Sequence, residues 1–404
     1  MTEPRDATDP GARVVIVGAS AAGSGVALNL RRMGYEGAIT LIGEEAELPY
    51  DRPPLSKGVL LGTAGLDSLG LASHEELSTA QVELRLGVRA VALDTTAKEV
   101  RLETGESVGY DTLVIATGAT PRRIPSLAGS ANVHVLRTIA DAEAFERSLV
   151  PGTRLAIVGS GLIGLEVAST ATKRGVQVSV IEPADLPMRE RLTPDVARWL
   201  LDQHVAHGVR FHLGTQVEGV VSDGDRVTAL CLADGTELEV DVVLMSVGAA
   251  PNVAWLESSG IELDNGVVTD HRQRAADDVY AVGDVARFVH TSLDRVMRME
   301  TRSNAIEGAV HLARTIAGEE APYAPVPFFW TDQYDFKIQS FGMVDPTADL
   351  VFEDGSLEGS KWVLAAYDDG ELRGVIARGH GPVLARLRRQ LAQNYQRNAE
   401  RVLD

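Results

Sequence analysis

Residues 14–23 read VVIVGASAAG and residues 155–164 read LAIVGSGLIG, so Gly18 and Gly23 recur as Gly159 and Gly164 at a constant offset. Each segment is a β-branched run entering a glycine turn. A helical stretch follows, then a second apolar run ending in an acid: AITLIGE closes at Glu44 and VQVSVIE at Glu182. Strand, turn, helix and strand therefore occur twice. A second echo supports the duplication, because DTLVIATGATPR at 111–122 matches DVVLMSVGAAPN at 241–252 in its leading Asp, apolar strand, glycine and proline. Two similar nucleotide-binding units are expected.

A glycine turn between strand and helix sets backbone N–H groups and the positive helix end against a pyrophosphate, and an acid about 20 residues on binds ribose hydroxyls. The second turn, Gly159-Ser160-Gly161-Leu162-Ile163-Gly164, is complete. The first, Gly18-Ala19-Ser20-Ala21-Ala22-Gly23, carries Ser20 at the middle glycine, with its hydroxyl turned away from the phosphates or towards them. Glu182, a carboxylate at a strand end, favours a free 2′-hydroxyl over a 2′-phosphate and hence NADH over NADPH. Arg189 and Arg191 lie beyond the usual phosphate-reading position and read as a solvated loop.

A further glycine-acid element, VYAVGDVARF at 279–288, follows the second unit without a partner of its own, so the second unit is read as inserted into the first. After about residue 325 come short strand-like runs, PFFWTDQ, FKIQSFGMV, DLVFEDG and KWVLAAYDDGELRGVIARG. The chain closes with PVLARLRRQLAQNYQRNAERVL, in which Leu384, Leu387, Leu391 and Tyr395 recur at helical spacing. The expected fold is α/β: two Rossmann-like dinucleotide-binding domains, the first discontinuous over 12–120 and 250–324 and the second inserted over 121–249. A small C-terminal α+β domain over 325–404 and a flexible tail over 1–11 complete it.

Composition narrows the chemistry. The 404 residues suffice for two or three domains, and 57 acidic against 38 basic residues give a net charge of −19, which argues against nucleic acid as a partner. No stretch approaches a membrane span and no signal-peptide core precedes the first strand, so a cytoplasmic location is expected. The single cysteine, Cys231, forms neither an internal disulfide nor a redox pair, a structural zinc site or a four-thiolate cluster, and no metal site is expected. It lies in VTALCLADGTEL and reads as a small buried residue on a strand. Electron chemistry must then use a bound organic cofactor.

The set VVIVGASAAG, PYDRPPLSK at 49–57, TLVIATGATPR, IVGSGLIGLE at 157–166, YAVGDVA at 280–286 and FFWTDQYD at 328–335 resembles the FAD-dependent, NADH-using ferredoxin reductases. These are the putidaredoxin-reductase-like, oxygenase-coupled group within the glutathione-reductase-type flavoproteins, and the resemblance covers nearly the whole chain. It implies FAD on the first unit and NADH on the second. It places Gly18, Ser20, Ala22 and Gly23 at the FAD pyrophosphate turn, Glu44 at the adenosine ribose and Ala90 at adenine. Arg52, Thr117, Gly118 and Arg137 lie beside that cofactor, Lys57 near the flavin ring, Asp284 at the ribityl chain and Arg302 at the isoalloxazine through its backbone. Trp330 falls at the dimethylbenzene edge, on an electron exit route. For NAD it implies Gly159, Gly161, Ile163, Gly164, Glu182 and Gly248, with Glu166 beside the nicotinamide and able to pair with Lys57.

Read without that resemblance, Lys57 is a surface lysine after a proline turn, Asp284 a helix cap and Glu166 a solvated first-turn residue. Trp199, Trp255 and Trp362 are read as packing. The activity implied is hydride transfer from NADH to FAD N5, followed by single-electron transfers to a [2Fe–2S] ferredoxin that feeds a P450 or Rieske-type oxygenase. An acidic ferredoxin would need a local cationic surface, for which Arg298, Arg302, Arg314, Lys337 and the C-terminal arginines are candidates. The protein is expected to be a monomer or weak dimer. The alternatives are a flavin NADH:quinone dehydrogenase using the basic closing helix at a membrane, and an NADH-sensing flavoprotein.

Overall fold

A computed structural model of the chain describes residues 12–403, so the tail expected over 1–11 lies outside the described residues. The first apolar run forms β1 (Arg13–Val17), and β2 (Ala38–Gly43), β3 (Val82–Leu86) and β4 (Thr112–Ile115) join it in one sheet, with α1 (Ala21–Arg32) crossing between β1 and β2. The chain then leaves for a second sheet of β5 (Val133–His134), β6 (Arg154–Val158), β7 (Gln177–Glu182), β8 (Arg210–Leu213) and β9 (Val242–Met245). All of its pairings are parallel, in the order β8-β7-β6-β9-β5. Its crossovers include α2 (Leu162–Lys173) and α3 (Pro194–Ala206). The chain returns as β10 (Arg274–Ala276) and β11 (Val279–Ala281), and β11 pairs parallel with β4 to complete the order β10-β11-β4-β1-β2-β3. The two crossings between sheets are themselves hydrogen-bonded, Ala119–Pro121 running antiparallel to Ala249–Pro251.

Both faces of each parallel sheet are buried, one under helices and the other under small antiparallel strands (90–94 with 99–102, and 226–232 with 237–239), which explains the uninterrupted apolar runs. Val14 and Ile16 pack with α1 and with α4 (Arg302–Ile316), whereas Val15 and Val17 turn to a second cluster with Leu113, Ile115 and Ala281. In the second sheet Leu155 and Ile157 divide from Ala156 and Val158 in the same way.

The C-terminal strands β12 (Phe328–Gln333), β13 (Phe336–Gly342), β14 (Asp349–Gly355), β15 (Trp362–Asp368) and β16 (Glu371–Arg378) form an antiparallel sheet in the order β12-β13-β16-β15-β14. One face carries Phe341, Val363, Ala365 and Val375 against Leu384, Leu387, Leu391 and Tyr395 of α5 (Pro382–Leu403). The other carries Ile338, Trp362, Leu364 and Ile376 against Leu165 of α2 and Trp199 and Leu200 of α3. Trp199 and Trp362 meet edge to face at 5.7 Å, in the packing role expected of them. Each fully buried Leu stabilises by about 1.5–3 kcal/mol, so the apolar stripe of α5 belongs to the sheet. Among the described residues no helix is long and apolar enough to cross a membrane.

Cys231 requires a correction. It does lie on a strand, Arg226–Leu232, but it is half-buried rather than buried. Leu230 and Leu232 take the core side of that strand, and period-two alternation turns Cys231 the other way.

Candidate active site

Two adjoining cavities run along the carboxyl end of the first sheet, about 730 and 230 Å³ in volume, and share Ser20, Tyr50, Arg52, Ala116, Gly118 and Arg137 as a common wall. The larger extends to Glu44, Arg89 and Ala90; the smaller reaches Lys57, Glu166, Asp284, Arg302 and Trp330. This is where open parallel sheets bind ligands.

The first turn is shaped by contact. Gly18 has φ +116°, and a Cβ there would lie 2.1 Å from the carbonyl oxygen of Ala116. Gly23 abuts the same turn, since its Cβ would fall 1.8 Å from the carbonyl oxygen of Gly18. Ser20 is the N-cap residue of α1 with φ −101°, a conformation open to any L-residue. Gly161, the matching residue of the second turn, also has negative φ (−73°), so the serine in the first turn leaves the backbone unstrained. Ser20 lines both cavities. Every residue assigned to FAD by resemblance lines one or both cavities except Gly23, which stands behind the turn and sets the strand-to-helix distance.

Charge in the trough is anchored from below. Arg52 donates to Glu45 Oε1 at 2.6 Å, to the Tyr50 hydroxyl at 3.0 Å and to the Arg137 carbonyl at 2.7 Å. Tyr50 in turn donates to Glu45, and burial raises its pKa. Glu44 pairs with Arg89 across the mouth. Arg137 pairs with Asp284 at 3.1 Å; burial raises the Asp284 pKa, and Arg137 opposes that rise. The positive N-terminal ends of α1 and α4 both abut the trough, through Ala21 and Arg302. Two N–H donors on its wall, Arg52 Nε and Trp255 Nε1, are buried without a protein partner. Unpartnered buried donors beside a polar trough flanked by helix N-termini fit a large ligand rich in acceptor atoms and phosphate. Trp255 packs against the core as expected, and it also forms part of the wall of the larger cavity.

At the inner end Glu166, in the second turn of α2, is buried with a side chain 5% exposed, and the Lys57 side chain is 19% exposed. Lys57 Nζ lies 2.7 Å from Glu166 Oε2, which also accepts from Ser56 Oγ at 2.5 Å, while Thr331 Oγ1 donates to Oε1 at 2.8 Å. Glu166 is therefore not a solvated first-turn residue, nor Lys57 a surface lysine. Asp284 sits in a 3₁₀ turn that leads into a strand, not a helix cap. Trp330 forms one wall, 5.7 Å from Phe328, with Lys337 Nζ 5.9 Å above its ring. Ser56 and Thr331 went unread in the sequence. The available signal was period-two alternation along FFWTDQ, which puts Thr331 and Gln333 on a buried face.

The residues assigned to NAD divide. Ile163 and Glu166 reach the smaller cavity, whereas Gly159, Gly161, Gly164, Glu182 and Gly248 line neither cavity. Gly159, Glu182 and Gly248 instead share the carboxyl edge of the adjacent strands β7, β6 and β9. There Glu182 Oε2 accepts from Ser160 N at 2.8 Å and Ser160 Oγ at 2.7 Å, and Oε1 accepts from Ala184 N at 3.0 Å. A carboxylate has about four acceptor sites, so one is left for a ligand hydroxyl. Arg191 lies over the Phe329 ring at 5.7 Å and Arg189 pairs with Asp185.

The basic docking residues are largely engaged within the chain. Arg298 pairs with Glu300 and donates to the Asp284 carbonyl, Arg302 pairs with Asp51, and Lys337 with Asp332. Arg386 and Arg397 hold Glu353 and Glu371, and Arg388 covers Phe341. Arg302 and Arg314 lie near opposite ends of α4, about 18 Å apart at 1.5 Å per residue.

Two glycine-turned parallel sheets facing a buried Lys–Glu pair define a two-nucleotide oxidoreductase. The chain belongs to the pyridine nucleotide-disulphide oxidoreductases, whose family model matches residues 12–309, and a reductase C-terminal model matches residues 328–404. It is similar to putidaredoxin reductase of Pseudomonas putida, at 36% identity over 337 residues, 82% of this chain and 80% of that one. It is also similar to the ferredoxin–NAD(+) reductase subunit of the benzene 1,2-dioxygenase system of Pseudomonas putida, at 38% identity covering 90% of this chain and 88% of the relative. A chain of the covalent putidaredoxin reductase–putidaredoxin complex superposes with a TM-score of 0.89 at 33% identity, covering 96% of this chain and 93% of that chain.

Proposed function

We propose that this chain is an NADH-dependent ferredoxin reductase, with FAD in the paired cavities and NADH on the edge of the second sheet. The observation that carries the reading is the Lys57–Glu166 pair at the inner end of the trough, between the two nucleotide units. Bound FAD supplies the chemistry, taking two electrons as hydride from NADH and releasing them singly to a [2Fe–2S] ferredoxin of a P450 or Rieske-type oxygenase system. Gly18 and Ser20 would cradle its pyrophosphate, Glu44 and Ala90 would bound its adenosine end, and Asp284 and the N-terminus of α4 would hold the opposite end. Lys57, anchored by Glu166, offsets negative charge that develops beside it. Glu166, Ile163 and the second glycine turn orient NADH. The family name implies a disulfide, yet the one cysteine, Cys231, is half-buried on a separate strand and lines neither cavity. With FAD bound, Trp330, on the wall of the smaller cavity, would lie on the route by which electrons leave, with no thiol pair at the site. Burial of the α5 stripe removes the feature that favoured a membrane quinone reductase.

Trp330 gives the test. Trp330→Ala is expected to slow reduction of a [2Fe–2S] ferredoxin by about tenfold, or about 1.4 kcal/mol in barrier, with a smaller change in NADH-driven flavin reduction by stopped flow. Equal slowing of both steps would argue against the exit route. At the other ligand, Glu182→Ala is expected to lower the ratio of kcat/KM for NADH over NADPH by about tenfold or more, the scale of one hydrogen bond to a charged group. An unchanged ratio would remove Glu182 from the ribose site.

A further inference from the structure

Glu166 is held by more than Lys57. Thr331 Oγ1 donates to Glu166 Oε1 at 2.8 Å, and Gln333 Nε2 lies 3.0 Å from the same Thr331 oxygen. Gln333 Oε1 lies 2.7 Å from His204 Nε2, and His204 Nδ1 lies 2.8 Å from the Tyr334 hydroxyl. Thr331, Gln333 and His204 are all buried. The run crosses three separate pieces of chain: α2, the end of β12 and the last turn of α3.

Its direction follows by elimination. The Glu166 carboxylate only accepts, so Thr331 spends its single proton there. The Thr331 oxygen must then accept, which turns the amide nitrogen of Gln333 towards it and the amide oxygen towards His204. His204 must carry its proton on Nε2, leaving Nδ1 to accept from Tyr334. Every donor in the run points towards Glu166. The end of β12 is pinned to the same helix, because Ser169 Oγ accepts from Tyr334 N at 2.6 Å and Lys173 Nζ reaches the Tyr334 carbonyl at 2.6 Å. Residues 166, 169 and 173 lie on one face of α2; Ser169 and Lys173 hold the backbone of Tyr334, which sits at φ +49°, a left-handed conformation unusual for an aromatic residue.

We propose that Thr331, Gln333, His204 and Tyr334 are positioning residues for Glu166: a one-way run of hydrogen bonds that presents Oε2 to Lys57 and Ser56 and keeps Oε1 occupied. The inference rests on the reading of Glu166 given above. The run requires a neutral His204. Burial, opposed by the hydrogen bond with Gln333 and helped by nearby His207, lowers its pKa to about 4. The rings around it are Phe211 of β8 at 5.9 Å and Tyr334 at 5.0 Å, and Tyr334 in turn stacks on exposed His207 at 3.7 Å.

The test has two arms on the FAD-loaded protein. Ring-nitrogen NMR is expected to show His204 as the neutral Nε2–H tautomer throughout the range from about pH 5 to 8, in which an unperturbed histidine titrates. An Nδ1–H tautomer, or titration near the ordinary value, would overturn the proposal. Thr331→Val is expected to retain flavin and slow NADH-driven flavin reduction by about tenfold, whereas Thr331→Ser stays within about twofold of the parent. Equal losses in both variants would assign Thr331 to packing, and no loss in Thr331→Val would remove the run from the site; either overturns the proposal. The NMR arm reads the run without turnover. Glu166→Gln separately tests the reading of Glu166, so the two failures are distinguishable.

Discussion

Glu166→Gln is expected to slow NADH-driven reduction of the bound flavin by about a hundredfold and to destabilise the protein by roughly 3–5 kcal/mol, the cost of breaking one partner out of a buried ion pair. The geometry explains the size. Lys57 Nζ and Ser56 Oγ both donate to Oε2, and Thr331 donates to Oε1. A glutamine can offer its oxygen to one side only. If that oxygen serves Lys57, its NH2 meets a Thr331 oxygen that already accepts from Gln333. Lys57→Met leaves the carboxylate buried without its cation, and a comparable loss is expected. Stopped-flow rates and denaturant unfolding check both; a change under about threefold in either variant would contradict a shared role.

The second large effect concerns the glycine turns. In Gly18→Ala the new Cβ would sit 2.1 Å from the Ala116 carbonyl oxygen at φ +116°, where a side chain costs on the order of 1–3 kcal/mol in backbone strain before the clash is counted. The strand and turn must separate, and the purified variant is expected to lose its flavin colour. Gly159→Ala, with its Cβ 2.3 Å from the Ser246 carbonyl oxygen, is expected to keep flavin and raise the KM for NADH. Ser20→Gly, at φ −101°, is expected to cost less than about 1 kcal/mol. Flavin-to-protein absorbance ratios and NADH titrations separate these outcomes. Equal flavin loss from Gly18→Ala and Gly159→Ala would contradict the assignment of one nucleotide to each turn.

Features set by local chemistry were readable from the sequence. Gly18 and Gly159 announce themselves because only glycine takes their φ beside a neighbouring strand, and the return of residues 279–281 to the first sheet follows from an unpartnered glycine-acid element. The closing helix was legible through Leu384, Leu387 and Leu391. Contacts distant in sequence were not. Ser56 and Thr331 meet Glu166 across separations of 110 and 165 residues, and no periodicity couples such positions. Trp255 was legible as packing, but nothing in its sequence context shows the cavity it also borders. Whether the candidate docking arginines form one patch was not legible because charge counts ignore partners: Arg298 and Arg302 are paired with Glu300 and Asp51.

Anaerobic titration of the purified chain tests the central claim most directly. The account predicts a yellow protein whose flavin absorbance is bleached by stoichiometric NADH and restored by two equivalents of oxidised [2Fe–2S] ferredoxin. A colourless protein that takes up no FAD, or a reduced flavin that ferredoxin does not reoxidise, would contradict it.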